Sequence, residues 1–339
     1  MTAAVAVDLG KTGCRAVLWR TGSGDGDGHD GVYEVPGAPG LGDRDGVAAA
    51  RAAVCAAVLP LLAGRPELRP TTVCVGAAGA SSAPEAAREL AVLLLEDLPT
   101  DEVAVTSDAV TAHAGALGGG SGVVLAIGTG SVAVGIGDDG SYARVGGWGP
   151  WLGDEGGGAW IGAAGLRAAL RAHDGRGPAT ALLAAVIARF GDPDRLPAAL
   201  GGDGNPARTA ASFAPDVARA AAAGDPAARG IVDEAAAMLA EAVLAAARRL
   251  GGDAPLPVAV TGGLTGLGEP LLGPLGSALT DSPRLQPPRP PLGDPLDGAR
   301  LLALNTSAPH EPHVTRVRRT ACRPAVPTPP VAPPALAQE

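Results

Sequence analysis

Hydrophobic and polar positions follow a β-then-α/β pattern that occurs twice along the chain. Ala3–Leu9 (AAVAVDL) is short, apolar and β-branched at alternate places, which predicts a buried strand. The glycine turn Gly10–Gly13 follows, and Cys14–Arg20 (CRAVLWR) reads as the hairpin partner of that strand. A polar Gly/Asp-rich loop over 21–31 leads to a third predicted strand, Gly31–Val35. Helical spacing then covers Asp45–Leu62, a strand Thr71–Gly79, a helix Ala83–Leu95, and a strand Asp101–Ala109 that ends at a carboxylate.

The order then restarts. Gly122–Gly137 is strand, glycine turn, strand, and Ser141–Val145 is a third strand. Predicted helices run over Asp154–Ala172, Ala179–Arg189, Ala207–Ala223 and Asp225–Leu250. A strand, Pro255–Gly263, precedes a helix over Gly268–Leu279. Two hairpin-plus-α/β segments in one chain imply an internal duplication. The predicted fold is α/β: two ribonuclease-H-like domains, 1–115 and 116–294, with a cleft between them. A final helix over 295–305 is placed to pack back on the first domain. Beyond Thr306 the chain is proline-rich and aperiodic, so 306–339 is expected to be a disordered tail, its RVRR run solvated.

Composition narrows the function. The chain has 339 residues, 46% of them hydrophobic, enough for two real cores. Net charge is −9, with Lys11 as the single lysine, so no basic face invites nucleic acid or an anionic membrane. Aromatics are only 2%, which argues against base-stacking platforms. The apolar runs are too short or too interrupted to span a bilayer, and a cytoplasmic protein is expected. Cys14, Cys55, Cys74 and Cys322 are scattered with no CxxC pair, so neither zinc nor a disulfide framework is indicated.

Five segments carry candidate chemistry. In DLGKTG, Asp8 closes a strand, Gly10 lets backbone approach phosphate, and Lys11 and Thr12 offer charge and hydroxyl. Asp8 is a candidate Mg²⁺ ligand, directly or through water. GKT tempts one toward a P-loop, but that motif needs glycine at position 5, which is Val5, and a helix afterwards. Gly128, Thr129 and Gly130 resemble a dinucleotide fingerprint, yet alternating β residues follow, so a hairpin phosphate loop fits better. Asp108, at a strand-to-helix junction, is either a helix N-cap or a general base. Gly146–Gly162 (GGWGPWLGDEGGGAWIG) packs eight glycines, three tryptophans and the Asp154–Glu155 pair into 17 residues. Tryptophan with carboxylate suits a sugar, and the two acids are also placed to open a helix. Thr261–Leu264 (TGGL) is a turn placed to pass near a nucleotide.

DLGKTG, SDA, GTGS, GGWGxxLGDEG and TGG, in this order, resemble the N-acetylglucosamine kinase branch of the BadF/BadG/BcrA/BcrD-type family. That family lies in the actin-like sugar kinase superfamily and also contains activator ATPases of CoA-ester reductases and dehydratases. The resemblance covers Ala3–Leu304. It implies two actin-like ATPase domains, ATP and Mg²⁺ as cofactors, and a small-molecule sugar as substrate. It also implies γ-phosphate transfer to a 6-hydroxyl, with the chain as a homodimer. Asp8, Gly10 and Thr12 match its first phosphate loop, Gly128, Thr129 and Gly130 its second, and Gly262 and Gly263 its adenosine motif. Asp108 matches the catalytic acid–base, and Gly79, Asp108, Gly147, Trp148, Gly149 and Asp154 match substrate contacts. Two departures stand out. The family's sugar-holding asparagine is absent from Val35–Gly46, and Gly157 and Gly158 replace small polar and aromatic residues. The implied substrate is N-acetylglucosamine, with glucosamine, N-acetylmuramic acid, an activator ATPase and a non-catalytic sugar sensor as alternatives.

Overall fold

A computed structural model describes residues 2–21, 28–29, 31–65, 68–202 and 204–319. The first half runs β1 (Thr2–Leu9), β2 (Gly13–Thr21), β3 (Gly28–His29), β4 (Tyr33–Pro36), α1 (Gly46–Leu62), β5 (Thr72–Ala77), α2 (Pro84–Asp97), β6 (Glu102–Ser107) and α3 (Asp108–Ala116). The second runs β7 (Gly122–Ile127), β8 (Ser131–Ile136), β9 (Tyr142–Gly146), α4 (Gly158–His173), α5 (Ala181–Phe190), α6 (Leu196–Gly201), α7 (Pro206–Ala211), α8 (Ala214–Ala222), α9 (Pro226–Arg248), β10 (Val258–Thr261) and α10 (Glu269–Thr280). Then come α11 (Pro295–Leu304) and β11 (Thr315–Arg318).

Two sheets result. The first has the order β11-β6-β5-β1-β2-β3, with β4 also pairing β2; the second is β10-β7-β8-β9. Each is built on an antiparallel hairpin, β1–β2 or β7–β8, whose first strand has a parallel partner, β5 or β10. This repeated motif is the duplication read from the sequence.

Alternation along β1 assigns the faces of the first sheet. Ala3, Val5, Val7 and Leu9 enter one core with α1 and α2, whereas Ala4 and Ala6 enter another with α3 and α11. The second side is close-packed through glycine. A Cβ on Gly298 would lie 1.8 Å from the Thr111 carbonyl oxygen, and one on Gly115 would lie 2.0 Å from that of Asp294. Helices α3 and α11 therefore cross nearly backbone to backbone. In the second sheet one face carries the large core under α4, α9 and α10. Its opposite face presents Val124, Ala126, Val132 and Val134 to a cleft.

The structure departs from the sequence reading in three places. The expected tail is ordered through Arg319: β11 pairs antiparallel with β6, placing Arg316 opposite Ala104. The RVRR run is solvated only in part: Arg316 is half-buried between Glu102 (2.6 Å) and Glu311 (2.7 Å), whereas Arg318, which pairs with Glu102, and Arg319, which donates to the Thr100 carbonyl at 2.9 Å, are exposed. Alternation of only four residues is too short a signal beside so much proline. Cys322 and the rest of 320–339 lie outside the described residues. Second, the helix expected from Asp154 begins at Gly158. Third, the helix expected over Ala207–Ala223 breaks at Ser212–Phe213, where Pro215 opens a new helix.

A histidine pair joins α3 to the segment after α11 and to the second sheet. His113 Nε2 lies 3.0 Å from the Gly122 carbonyl oxygen, which can only accept, so this nitrogen carries the proton. His113 Nδ1 then accepts from His310 Nε2–H at 2.9 Å. His310 Nδ1 is buried without a partner. Burial lowers His113 to about 4 and His310 to about 3, the His113 neighbour adding to the latter.

Two outcomes are expected. Both histidines are depressed in the fold, so their stabilisation is complete above the ordinary value of 6.5 and is lost as pH falls toward about 4. Urea midpoints at about pH 7 and about pH 5 should differ accordingly; equal midpoints would show that protons enter without opening this joint. Arg316→Ala removes the cation that Glu102 and Glu311 share, leaving Glu311 without it and Glu102 with only the exposed Arg318. The expected loss is about 3–5 kcal/mol by urea unfolding, and a change within error would remove β11 from the stabilising framework.

Candidate active site

The first hairpin turn is tied from behind. Gly10 N–H donates to the Gly13 carbonyl at 2.9 Å, and the Gly10 carbonyl accepts from Ala38 N–H at 3.2 Å. A Cβ on Gly37 would lie 2.3 Å from the Gly10 oxygen, so the segment where an asparagine was sought instead backs the turn with bare backbone. Asp8, two residues before Gly10, pairs across the hairpin with Arg15 at 2.6 Å, and Arg15 also reaches Asp294 at 3.6 Å. Lys11 and Thr12 are exposed on the turn, and Lys11 lies 3.9 Å from Asp43.

The second turn rests on a helix terminus. Gly158 N–H donates to the Gly128 carbonyl and Ala159 N–H to that of Thr129, both at 2.8 Å. These are the first two amides of α4, groups that no helix satisfies internally. A Cβ on Gly157 would lie 2.7 Å from the Gly130 carbonyl carbon, and one on Gly158 would lie 2.8 Å from the Gly128 oxygen. This explains the two departures at 157 and 158: only glycine lets the turn sit down on the helix. Gly262, at φ +103°, closes on the same place, since a Cβ there would lie 2.2 Å from the Ile127 oxygen. The GTGS and TGG motifs are thus neighbours; Thr129, Gly262 and Gly263 are exposed there.

The tryptophan-glycine loop is knitted to this turn. Gly147 N–H donates to the Ser131 carbonyl at 2.9 Å, and Ser131 Oγ–H to the Glu155 carbonyl at 2.7 Å. Asp154 adopts φ 59° and accepts from Gly149 N–H at 3.2 Å, its carboxylate packed where a Gly130 Cβ would stand. Asp154 therefore holds the loop and the turn together rather than opening a helix. Trp148 is 66% exposed and Trp151 91% exposed, so neither ring encloses anything in this state.

At Asp108 the cap reading fails. The cap of α3 is Ser107, whose Oγ accepts from Val110 N–H at 3.3 Å. Asp108 is the first residue of the helix, and Oδ1 accepts from Ala109 N–H at 2.8 Å. Burial pushes its carboxyl above the ordinary range, against the lowering effect of the Ala109 bond, and the charge of Asp8 adds to the rise. A carboxyl with a raised pKa that lines a cleft is a candidate functional group.

A cleft of about 660 Å³ gathers Asp8, Gly79, Asp108 and Gly147. Gly79, at φ +83°, packs against Leu41 N, which donates to the Ala78 carbonyl at 3.0 Å. Trp148, Asp154 and the three turns do not line it. Sequence reasoning missed Ser81, Ser82, Tyr142 and Arg144, which do line it. Tyr142 and Arg144 were readable in principle: on β9 they share the face opposite Ala143 and Val145, which enter the core.

Cys14 and Cys74 are buried and Cys55 half-buried; burial pushes their thiols up to about 12, about 12 and about 11. Among the described residues no group of three His, Cys, Asp or Glu side chains is placed to hold a metal, and no helix is long and apolar enough to cross a membrane.

Turns of this kind on paired α/β halves define an ATPase of the actin-like type. The chain belongs to the BadF/BadG/BcrA/BcrD ATPase family, whose profile matches residues 5–280. It is similar to the structure of a candidate N-acetylglucosamine kinase from Chromobacterium violaceum, with 31% identity and a TM-score of 0.64 over 89% of this chain and 99% of that one. A candidate N-acetylglucosamine kinase from Porphyromonas gingivalis shares the fold at 21% identity and a TM-score of 0.61, covering 88% and 96%. So does a ROK-family glucokinase from Streptomyces griseus, solved with glucose and AMPPNP, at 21% identity and a TM-score of 0.53, covering 89% and 99%. No curated protein matches this sequence.

Gly157→Ala should fold but displace the second turn. A displacement approaching 1 Å is expected to lower kcat/KM for ATP turnover by about 10–100-fold. Steady-state kinetics beside a melting curve check this, and unaltered kinetics would separate the turn from nucleotide handling.

Proposed function

We propose that this ATPase-family chain is an ATP-dependent sugar kinase that phosphorylates the 6-hydroxyl of an amino sugar, N-acetylglucosamine foremost. The observation that carries the reading is the cleft in which Asp108, freed from capping by Ser107, faces Asp8 and the Gly147 backbone. The 31% identity to the Chromobacterium protein over nearly its whole length supports the substrate class.

In this reading the amides and hydroxyls of the two turns, Gly10–Thr12 and Gly128–Gly130, hold the ATP phosphates, with Lys11 adding charge. Gly262 and Gly263 pass the adenosine. Gly79, Gly147, Trp148, Gly149 and Asp154 orient the sugar. Asp108 takes the proton from the 6-hydroxyl as the oxygen attacks the γ-phosphorus. Burial raises its pKa above the ordinary carboxylate range, which strengthens the carboxylate as a base.

Magnesium fits this site in one manner only. Mg²⁺ commonly keeps several waters and takes one or two protein carboxylates beside substrate phosphates. Asp8 offers one carboxylate, already held by Arg15, so the residues suit an ion that enters on the nucleotide, coordinated by Asp8 directly or through water. When bound, Mg²⁺ neutralises charge on the phosphate oxygens.

Asp108→Asn should lower kcat by about 10²–10⁴-fold while ATP still binds. Wild-type activity should fall on the acid side through a pKa above the ordinary carboxylate range, because protonation removes the base. A coupled ADP-release screen over glucose, glucosamine, N-acetylglucosamine, N-acetylmuramic acid and N-acetylmannosamine identifies the acceptor. Steady ATP hydrolysis with no sugar turned over would overturn the kinase reading.

A further inference from the structure

Arg144 stands apart from everything else on its face of the second sheet. The cleft floor there is apolar, formed by Val124, Ala126, Val132 and Val134. In register, Arg144 lies opposite Val134, between Tyr142 opposite Ile136 and Gly146 opposite Val132. It is the one cation among the described cleft-lining residues, where Asp8 and Asp108 are the anions.

Its guanidinium makes two contacts, both to the loop that precedes α4. Nη2–H donates to the Gly147 carbonyl at 2.5 Å, and the guanidinium carbon lies 5.4 Å from the centre of the Trp148 ring. A Cβ on Gly147 would lie 2.8 Å from the same nitrogen, so the glycine at 147 is what lets the arginine reach across. The strand beneath is anchored separately, by Arg249 donating to the Arg144 carbonyl at 3.0 Å. Removing the Arg144 side chain therefore leaves β9 in place. An exposed hydrogen bond and an exposed cation–π contact contribute little to folding. What they do fix is the direction of the Gly147 carbonyl and the plane of the Trp148 ring.

We infer that Arg144 is a positioning residue for the sugar: it sets the Gly147–Trp148 segment in its binding geometry and presents that segment to Asp108 across the cleft. This rests on the kinase reading above, in which Gly147 and Trp148 contact the sugar. Arginine suits the task and lysine does not, because only a planar guanidinium donates along one edge while stacking by its face.

Charge gives a second readout. Asp108 is faced by Asp8 from β1 and by Tyr142 and Arg144 from β9. Arg144 favours the ionised carboxylate, whereas Asp8 disfavours it. Arg144→Ala should therefore move the acid limb of the kcat/KM profile to higher pH; Arg144→Lys, which keeps the charge, should leave it in place. The sugar KM should rise by roughly tenfold or more in Arg144→Ala and remain substantially raised in Arg144→Lys, with the ATP KM unchanged in both. A fall in melting temperature without a change in sugar KM, or equal rises in both KM values, would overturn the inference. Asp108→Asn run in parallel keeps the two readings apart. If Asp108→Asn is inactive and Arg144→Ala behaves as wild type, only the role of Arg144 fails. If Asp108→Asn keeps full activity, the base assignment fails, and if the wild type hydrolyses ATP with no sugar turned over, the kinase reading itself fails.

Discussion

The site depends on one backbone contact: the second glycine turn seated on the first two amides of α4. Helix N-terminal amides need partners and often find them in an anion. Here they are spent on the carbonyls of Gly128 and Thr129. The consequence is directional. With its carbonyls drawn toward the helix, the turn has its backbone polarity sorted, and the exposed Thr129 marks its outer side. The helix dipole then acts on the turn rather than on a ligand, and its positive end lies just behind the backbone that would meet phosphate. No side chain can intervene, which is why glycine occupies 157 and 158.

The first half solves the same problem with different parts. Its turn is backed not by a helix but by the extended segment through Gly37 and Ala38, again at distances that admit no Cβ. The acid opposite is placed by an equally tight contact. Thr111, one turn into α3, is pressed by Gly76 of the sheet and Gly298 of α11, so the start of α3 has little freedom to shift. Asp108 inherits that rigidity. A general base positioned by a packed helix terminus holds its geometry better than one on a loop.

The fold was legible because its signals were long and periodic. Alternation in Ala3–Leu9 and in Gly122–Gly137 located both hairpins, and α9 was visible as a long apolar stripe. The short edge strand Thr315–Arg318 was not, since four residues among prolines carry no period. Its anchors, Glu102 and Glu311, are separated from Arg316 by up to 214 positions, and pairing of that kind leaves no local trace. At the site, the motifs located the turns, but roles within them needed geometry. Asp154 beside Glu155 read as the opening of a helix because acids favour first turns; its left-handed backbone and its bond to Gly149 belong to a loop. Asp108 against Ser107 as cap was undecidable by composition, because both residue types cap well. The stretch that lacks the family's asparagine has a structural task of its own, the backbone contact of Gly37 with Gly10.

The charges of the cleft follow from which sheet face each half leaves open. In the first half both faces are covered by helices, and polar groups reach the cleft at strand ends, helix starts and the turn after β5, where Asp8, Ser107, Asp108, Ser81 and Ser82 lie. In the second half part of the face of β7, β8 and β9 lines the cleft, while Val124 packs with Ala116 and Leu117, and Ile136 joins the core of α3 and α11; that lining is apolar apart from Tyr142 and Arg144. Two carboxylates thus face a hydrophobic floor carrying one cation. Burial raises Asp108, and Arg144 opposes the rise. A base tuned in this way needs both halves: the first supplies the carboxyl and its fixed position, the second supplies the low-polarity surface and the counter-charge. Neither half builds the site alone, which ties the duplicated architecture to the chemistry proposed for it.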